Sequence, residues 1–188
     1  MGQDQFSSLP VTAYALLGLL TFGDELTGYE LKQRADNTLR YYWTSPAMSQ
    51  VYSELGRLQG HGLVEAVGPR QSERPTRYRM TRAGRARLRA WMTNEPAGFP
   101  VLKHPVALKL LMGHVVDVDT TIAMLEEYLE ELARNRTDLQ GVRDSLVGGD
   151  GIGEPFRNPA LVADWGLAYY DSEAETTEKT LARLREES

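Results

Sequence analysis

Ser49, Gln50 and Ser53 share one side of a stretch whose other side carries Met48, Val51, Leu55 and Leu58. Spacings of three and four place the apolar set on one stripe of a helix and leave the polar set opposite it. A glutamine amide donates and accepts at once, so it can pair with the edge of an adenine, and a serine hydroxyl can meet several base edges. A face that is small, polar and not acidic can approach a polyanion. Arg57 lies further along, within reach of a phosphate or of a partner's carboxylate. The competing reading is an ordinary amphipathic helix with a solvated face.

A second group is cationic. Arg70 and Arg74 fall in a polar loop over residues 68–75. Arg77 and Arg79 alternate with Thr76, Tyr78 and Met80, and in a strand this puts the arginines outside and the other three towards a core. A basic loop at a hairpin tip suits a backbone or minor-groove contact. Arg70, Arg74 and Arg77, with Lys32 and Tyr52, are therefore the expected contacts to a DNA backbone. Tyr52 qualifies because it flanks the polar face. Arg82, Arg85 and Arg89 recur at helical spacing, and for Arg85 and Arg89 pairing with an acidic part of the chain is an equal alternative. Tyr41, Tyr42 and Trp43 precede the polar helix, where packing is the default role.

Other chemistries lack their residues. The chain has no cysteine, which removes disulfides, thiol nucleophiles and cysteine-based metal sites. His61, His104 and His114 stand in unrelated contexts: a glycine-rich stop, a proline-rich linker and a helix. No pair of them has the spacing of metal ligands, and no metal or cofactor is expected. Residues 148–153 are rich in glycine but follow no strand, so they read as a turn and not as a phosphate cradle. Glu126, Glu127, Glu130 and Glu131 read as a solvated helix face. Nothing provides a nucleophile with a base beside it, and no enzymatic role is expected.

The elements that must position these residues follow from periodicity and punctuation. Residues 9–20 are apolar nearly all round and predict a first helix buried either within its own domain or against a partner. Thr27 and Glu30 have capping-box spacing and start a second. Ser45 and Pro46 suit the cap and first position of a third, which stops at Gly60 and Gly62. Two short strands, 63–67 and 76–80, flank the basic loop, and Thr81 caps a fourth helix to about Asn94. Residues 94–105 hold Pro96, Gly98, Pro100 and Pro105 and mark a boundary. Beyond it, Val118, Ile122, Leu125, Leu129 and Leu132 form a coiled-coil seam, interrupted at Arg136 and resumed at Leu139. A last helix is expected over about 158–186.

The expected fold is mainly α. A winged helix-turn-helix of three helices, a β-hairpin wing and a further helix occupies residues 1–94. A helical dimerisation domain with coiled-coil-like helices occupies 95–188. Charge divides in the same way, +4 over 1–94 and −9 over 95–188, against −5 for the chain. The basic half is the one expected to meet phosphates. No apolar run is long enough to span a bilayer and the start has no secretory pattern, so a cytoplasmic protein without a membrane partner is expected.

Several segments together resemble the PadR family of winged-helix transcriptional regulators. Residues 27–31, Thr-Gly-Tyr-Glu-Leu, are similar to its second-helix motif. Tyr42-Trp43 with 49–55 and Leu58 resemble its recognition helix, and 62–65, 74–75 and 78–84 resemble its wing and the helix after it. Residues 105–110 and the long helices resemble the C-terminal part of the longer, AphA-like subgroup. The resemblance implies a homodimer on double-stranded DNA, most often a repressor on an inverted-repeat operator. Leu16, Leu20, Ile122, Leu125, Leu129, Leu132, Trp165 and Tyr169 are the expected dimer interface. Some family members release DNA on binding a small aromatic effector. Trp91, Trp165, Tyr169 and Tyr170 are available to line such a pocket, although structural packing is the commoner role for such residues. Ala47-Met48 departs from the Gly-Ser often seen after Ser-Pro, which affects base preference and not the fold. Met80 stands for a common Leu. The alternative function is a winged helix that binds a protein instead of DNA.

Overall fold

The computed structural model describes residues 9–23, 25–68, 75–147 and 156–186. The glycine-rich turn expected over 148–153 and the wing arginines Arg70 and Arg74 lie outside the described residues. The chain divides into two compact units, Met1–Gly98 and Phe99–Ser188.

In the first unit, α1 (Val11–Leu19) is buried on nearly every side, as its composition requires. It packs on α2 (Gly28–Thr38), α3 (Met48–Gly60) and α4 (Arg82–Asn94). Leu16, Leu17, Leu31, Leu55 and Leu58 are fully enclosed. Each such leucine contributes roughly 1.5–3 kcal/mol by leaving water. This corrects one expectation. Leu16 and Leu20, expected at an interface between copies because the first helix is too apolar for a lone surface, are both buried in the core of their own unit, and the helices around α1 supply the cover.

Local chemistry sets the connections. Thr27 and Glu30 form the complete capping box at the start of α2. At the end of α3, Gly62 takes a positive φ of 67°. Its N–H donates to the Gln59 carbonyl, and the Leu63 N–H donates to that of Leu58. This Schellman closure turns the chain from α3 into β2 (Val64–Val67). β3 (Arg77–Met80) pairs antiparallel with β2, matching Glu65 to Arg79 and Val67 to Arg77. On its other edge β3 pairs with β1 (Leu26–Thr27), a two-residue strand that the sequence did not announce. Tyr78 and Met80 turn inward as expected, whereas Thr76 is exposed because it precedes the strand. Thr81 caps α4 by accepting the Gly84 N–H at 3.0 Å.

The second unit holds α5 (Pro105–Leu111), α6 (Val118–Val147) and α7 (Arg157–Glu186). The pairs Arg143–Asp164 and Arg136–Asp171, with Arg185–Glu126, run in opposite order along the two long helices, which are therefore antiparallel. Leu125, Leu132 and Leu139 of α6 are buried, as are Ala163, Leu167 and Leu181 of α7. A side-chain carbon added at Gly166 would come within 2.7 Å of Leu139, which records how closely the helices approach. Here a second expectation is corrected. The α6 seam does not wait for another subunit: α7 of the same chain closes over Leu125 and Leu132, and Ile122 and Leu129 are half-buried at its edge. Arg136 interrupts the seam because it is turned to Asp171, with its Nε 2.5 Å from the carboxylate.

His104, read from sequence as a linker residue, ties this unit together. Its Nδ1 accepts the Ala107 N–H and so caps α5, which leaves Nε2–H to donate to Glu173 at 2.5 Å. The Tyr128 hydroxyl donates to the same carboxylate at 3.3 Å. Burial, with Glu173 beside it, holds the Tyr128 phenol well above its ordinary range. Among the described residues, no helix is long and apolar enough to cross a membrane.

Candidate nucleic-acid interface

The face of α3 is built from its buried side outward. Val51, Leu55 and Leu58 have no exposure and fix the helix to the core. Ser49, Gln50 and Ser53 consequently project to solvent from its first two turns. The helix begins later than expected. Ser45 does not cap it and Pro46 is not its first residue; α3 starts at Met48 after Ala47, which supplies no side-chain cap. The reason is local: the Ser45 hydroxyl donates instead to Asp36 Oδ1 at 2.5 Å. Ser49 and Gln50 therefore sit in the opening turn, where backbone N–H groups have no partner inside the helix and the dipole favours an anion.

Two features keep this face free of negative charge. Glu54 is buried, and its carboxylate lies 3.1 Å from Arg57 Nε. Arg57, expected to meet a phosphate or a partner, thus faces a carboxylate on its own helix. Lys32 is similarly engaged, paired with Asp36 one turn on and 3.4 Å from Ser45 Oγ. The hydrogen bond from Lys32, and then that from Ser45, lowers the Asp36 carboxyl below its ordinary range.

Tyr52 is half exposed and lies against the start of α2. A side-chain carbon added at Gly28 would fall 2.5 Å from the Tyr52 ring, so the close approach requires the glycine. The wing arrives at the same place. Arg77 donates through Nη1 to the Glu25 carbonyl at 2.8 Å and through Nη2 to Glu30 Oε1 at 3.0 Å. The other oxygen of Glu30 accepts the Thr27 N–H at 2.7 Å. The Thr27 backbone, with the Thr27 hydroxyl and Arg77 behind it, holds the Glu30 carboxyl below its ordinary value. Arg79 donates to Glu65 at 2.8 and 3.0 Å. Between α2, α3 and the wing runs an open groove of about 1340 Å³, lined in part by Tyr29, Tyr52, Gln59 and Arg77.

The structure brings Tyr52 and Arg77 together along one groove, leaves Ser49, Gln50 and Ser53 exposed on the helix that carries Tyr52, and holds Lys32 against Asp36 and Ser45 at the approach to that helix. The sequence reading missed the partners of the cations. Glu25, Glu30, Glu65 and Glu54 each occupy an arginine, and only the capping-box spacing of Glu30 singled any of them out. The aromatic residues separate. Trp91 stacks on Tyr14 within the first unit, with centroids 4.6 Å apart and planes 9° from parallel. Tyr170 is buried on α7, and Trp165 and Tyr169 are exposed there.

Residues 16–90 match the transcriptional regulator PadR-like family, and residues 102–185 match the virulence activator alpha C-terminal family. The two matches together span most of the chain. A probable transcriptional regulator of Mycobacterium tuberculosis is 34% identical over 68 residues. That match spans 35% of this chain and 35% of the relative, so about a third of the relative's length is covered. Bacillus subtilis PadR, solved in complex with operator DNA, is 25% identical, with a TM-score of 0.78 over 93% of this chain and 99% of that one. Its complex with p-coumaric acid gives a TM-score of 0.76 at 24% identity, over 94% and 99% of the two chains. The Vibrio cholerae virulence activator AphA gives 0.72 at 23% identity, over 94% and 99%.

Proposed function

Because the chain belongs to the PadR-like regulators and carries a virulence-activator C-terminal part, we propose that it is a sequence-specific, homodimeric DNA-binding regulator, a cytoplasmic repressor acting on an inverted repeat. The observation that carries the reading is the exposed, uncharged face of Ser49, Gln50 and Ser53 at the start of a helix whose opposite side is locked in the core. Gln50, with Ser49 and Ser53, reads base edges in the major groove. Tyr52 and the wing arginines Arg70 and Arg74 contact the backbone and set the register. For Lys32 or Arg77 to reach phosphate, each would have to exchange the carboxylate that now holds it.

Dimerisation rests on the second unit. Leu161 and Trp165 of α7, and Leu108 and Leu111 of α5, are each more than half exposed, with Trp165 at 77%. Leu161 and Trp165 lie one turn apart on the same face of α7, and an apolar patch that they begin is the kind of surface that marks an interaction site. Two α3 helices then enter successive major grooves about 34 Å apart. The p-coumaric acid complex of B. subtilis PadR favours a small aromatic effector here too, with Trp165 and Tyr169 as the exposed aromatic groups to receive it.

Fluorescence anisotropy against the DNA upstream of the protein's own coding sequence, beside a scrambled duplex and across a salt series, tests the reading. Selective binding that weakens steeply with salt is expected. Absence of selectivity towards any duplex, including those selected from a random library, would leave a protein-binding winged helix as the better account.

A further inference from the structure

We propose that Glu30 is a positioning residue for DNA reading, and that Arg77 acts through it, as a clasp that holds the wing in register with α3, and not as a phosphate contact. The inference rests on the DNA-binding reading above and deepens it.

The start of α2 is where two DNA-facing elements meet. From α3, the Tyr52 ring rests on Gly28. From the wing, Arg77 of β3 reaches Glu30, and its neighbouring guanidinium nitrogen takes the Glu25 carbonyl. Thr27 and Arg77 are also paired residues of β1 and β3. Glu30 joins these contacts because its two oxygens do different work. Oε2 closes the capping box on the Thr27 N–H, and Oε1 takes Arg77. One carboxylate thereby connects the cap of α2, which packs on α3, to the central strand of the sheet. An arginine held at both nitrogens, with its ion-pair partner fixed by a backbone hydrogen bond, is committed to geometry. Releasing it to a phosphate breaks two contacts to make one.

Glu30→Gln separates the two roles. A single amide oxygen can still serve the Thr27 N–H, but the –NH2 then faces the Arg77 guanidinium, donor against donor. The capping box tolerates glutamine, so the helix remains. Arg77→Gln breaks the clasp from the other side.

The test uses the full chain and duplexes selected by it from a random-sequence library, with scrambled duplexes beside them, and anisotropy across a salt series. Circular dichroism melts run in parallel. Glu30→Gln is expected to lower the preference for the selected duplex about fivefold, the upper end for loss of one exposed ion pair. Arg77→Gln should do the same with an unchanged salt slope, and the double variant should lose no more than either single. Tighter, more salt-dependent binding by Glu30→Gln would overturn the proposal, because Glu30 would then only neutralise Arg77. A slope shallower by about 0.9 in Arg77→Gln would also overturn it, since that is the mark of one lost phosphate contact. Equal losses on both duplexes in step with a lower melting temperature would reduce Glu30 to general support. Failure of the unaltered protein to enrich any sequence would overturn the regulator reading, and this role with it.

Discussion

The Tyr52 ring on α3 lies so close to Gly28 on α2 that a side-chain carbon at residue 28 would stand 2.5 Å from it. Gly84 is equally crowded, but by a different kind of atom: there the added carbon would stand 2.1 Å from the Leu63 carbonyl oxygen. The Tyr52 ring is the far end of a half-exposed side chain and can swing away. The Leu63 carbonyl is backbone, held by the Thr81 N–H at 3.0 Å. Gly28→Ala is therefore expected to leave stability within about 1 kcal/mol of the parent while displacing Tyr52 and weakening binding to every duplex. Gly84→Ala should lose about 3 kcal/mol or unfold, at the upper end for a steric insertion into packed structure. Denaturant melts beside anisotropy distinguish the two, and equal stability losses would refute the contrast.

Gln50 stands exposed in the opening turn of α3, and the one carboxylate of that helix, Glu54, is buried. If it pairs with one adenine, Gln50→Ala should cost about 1–3 kcal/mol against that base and little elsewhere. Binding measured to a set of duplexes substituted one base pair at a time locates the effect. A loss of the same size on all of them would remove Gln50 from base reading.

The first unit was legible because its signals are local. The capping box at Thr27 and Glu30, the glycines after α3 and the cap at Thr81 each decide a boundary within a few residues, and each stands where expected. Ser45 failed for a reason no local rule contains: its hydroxyl is taken by Asp36, nine residues earlier in sequence and on another element. The same holds for charge. Arginines can be counted in a sequence, but Arg77 and Arg79 meet their carboxylates only after the sheet has formed. The α6 seam was visible as a pattern, yet periodicity does not say whose helix fills it. Here α7 of the same chain does, and the apolar surface left over falls instead on α5 and on the outward face of α7.

That leftover surface yields a contrast between two substitutions. Leu132 is 4% exposed within the α6–α7 hairpin, whereas Trp165 is 77% exposed. Leu132→Ala should cost the chain itself about 2–5 kcal/mol. Trp165→Ala should leave the folded chain intact and weaken the dimer by about 2 kcal/mol or more, as for an aromatic anchor at an interface. Sedimentation equilibrium at micromolar concentration is the check. A parent protein that sediments as a monomer would end the dimer model, and an unchanged dimer in Trp165→Ala would place the interface elsewhere.

Acid should loosen the same hairpin in a defined direction. The Asp171 carboxyl is held below its ordinary 3.8 chiefly by the hydrogen bonds from Arg136, and that of Asp117 by the Thr120 N–H at the start of α6. A carboxylate whose folded value lies below its unfolded one stabilises fully above the unfolded value, and this is lost as pH falls through the folded value. Melting temperature should therefore hold steady from neutral pH to about pH 5 and then drop as pH falls below about 4. Asp171→Asn removes one of the contributing groups. By the same linkage, the neutral-pH melting temperature should fall by as much as the acid limb becomes shallower, and both changes should be small because the pair is exposed. An acid limb unchanged by Asp171→Asn would show that the Arg136 pairing adds nothing to the folded state.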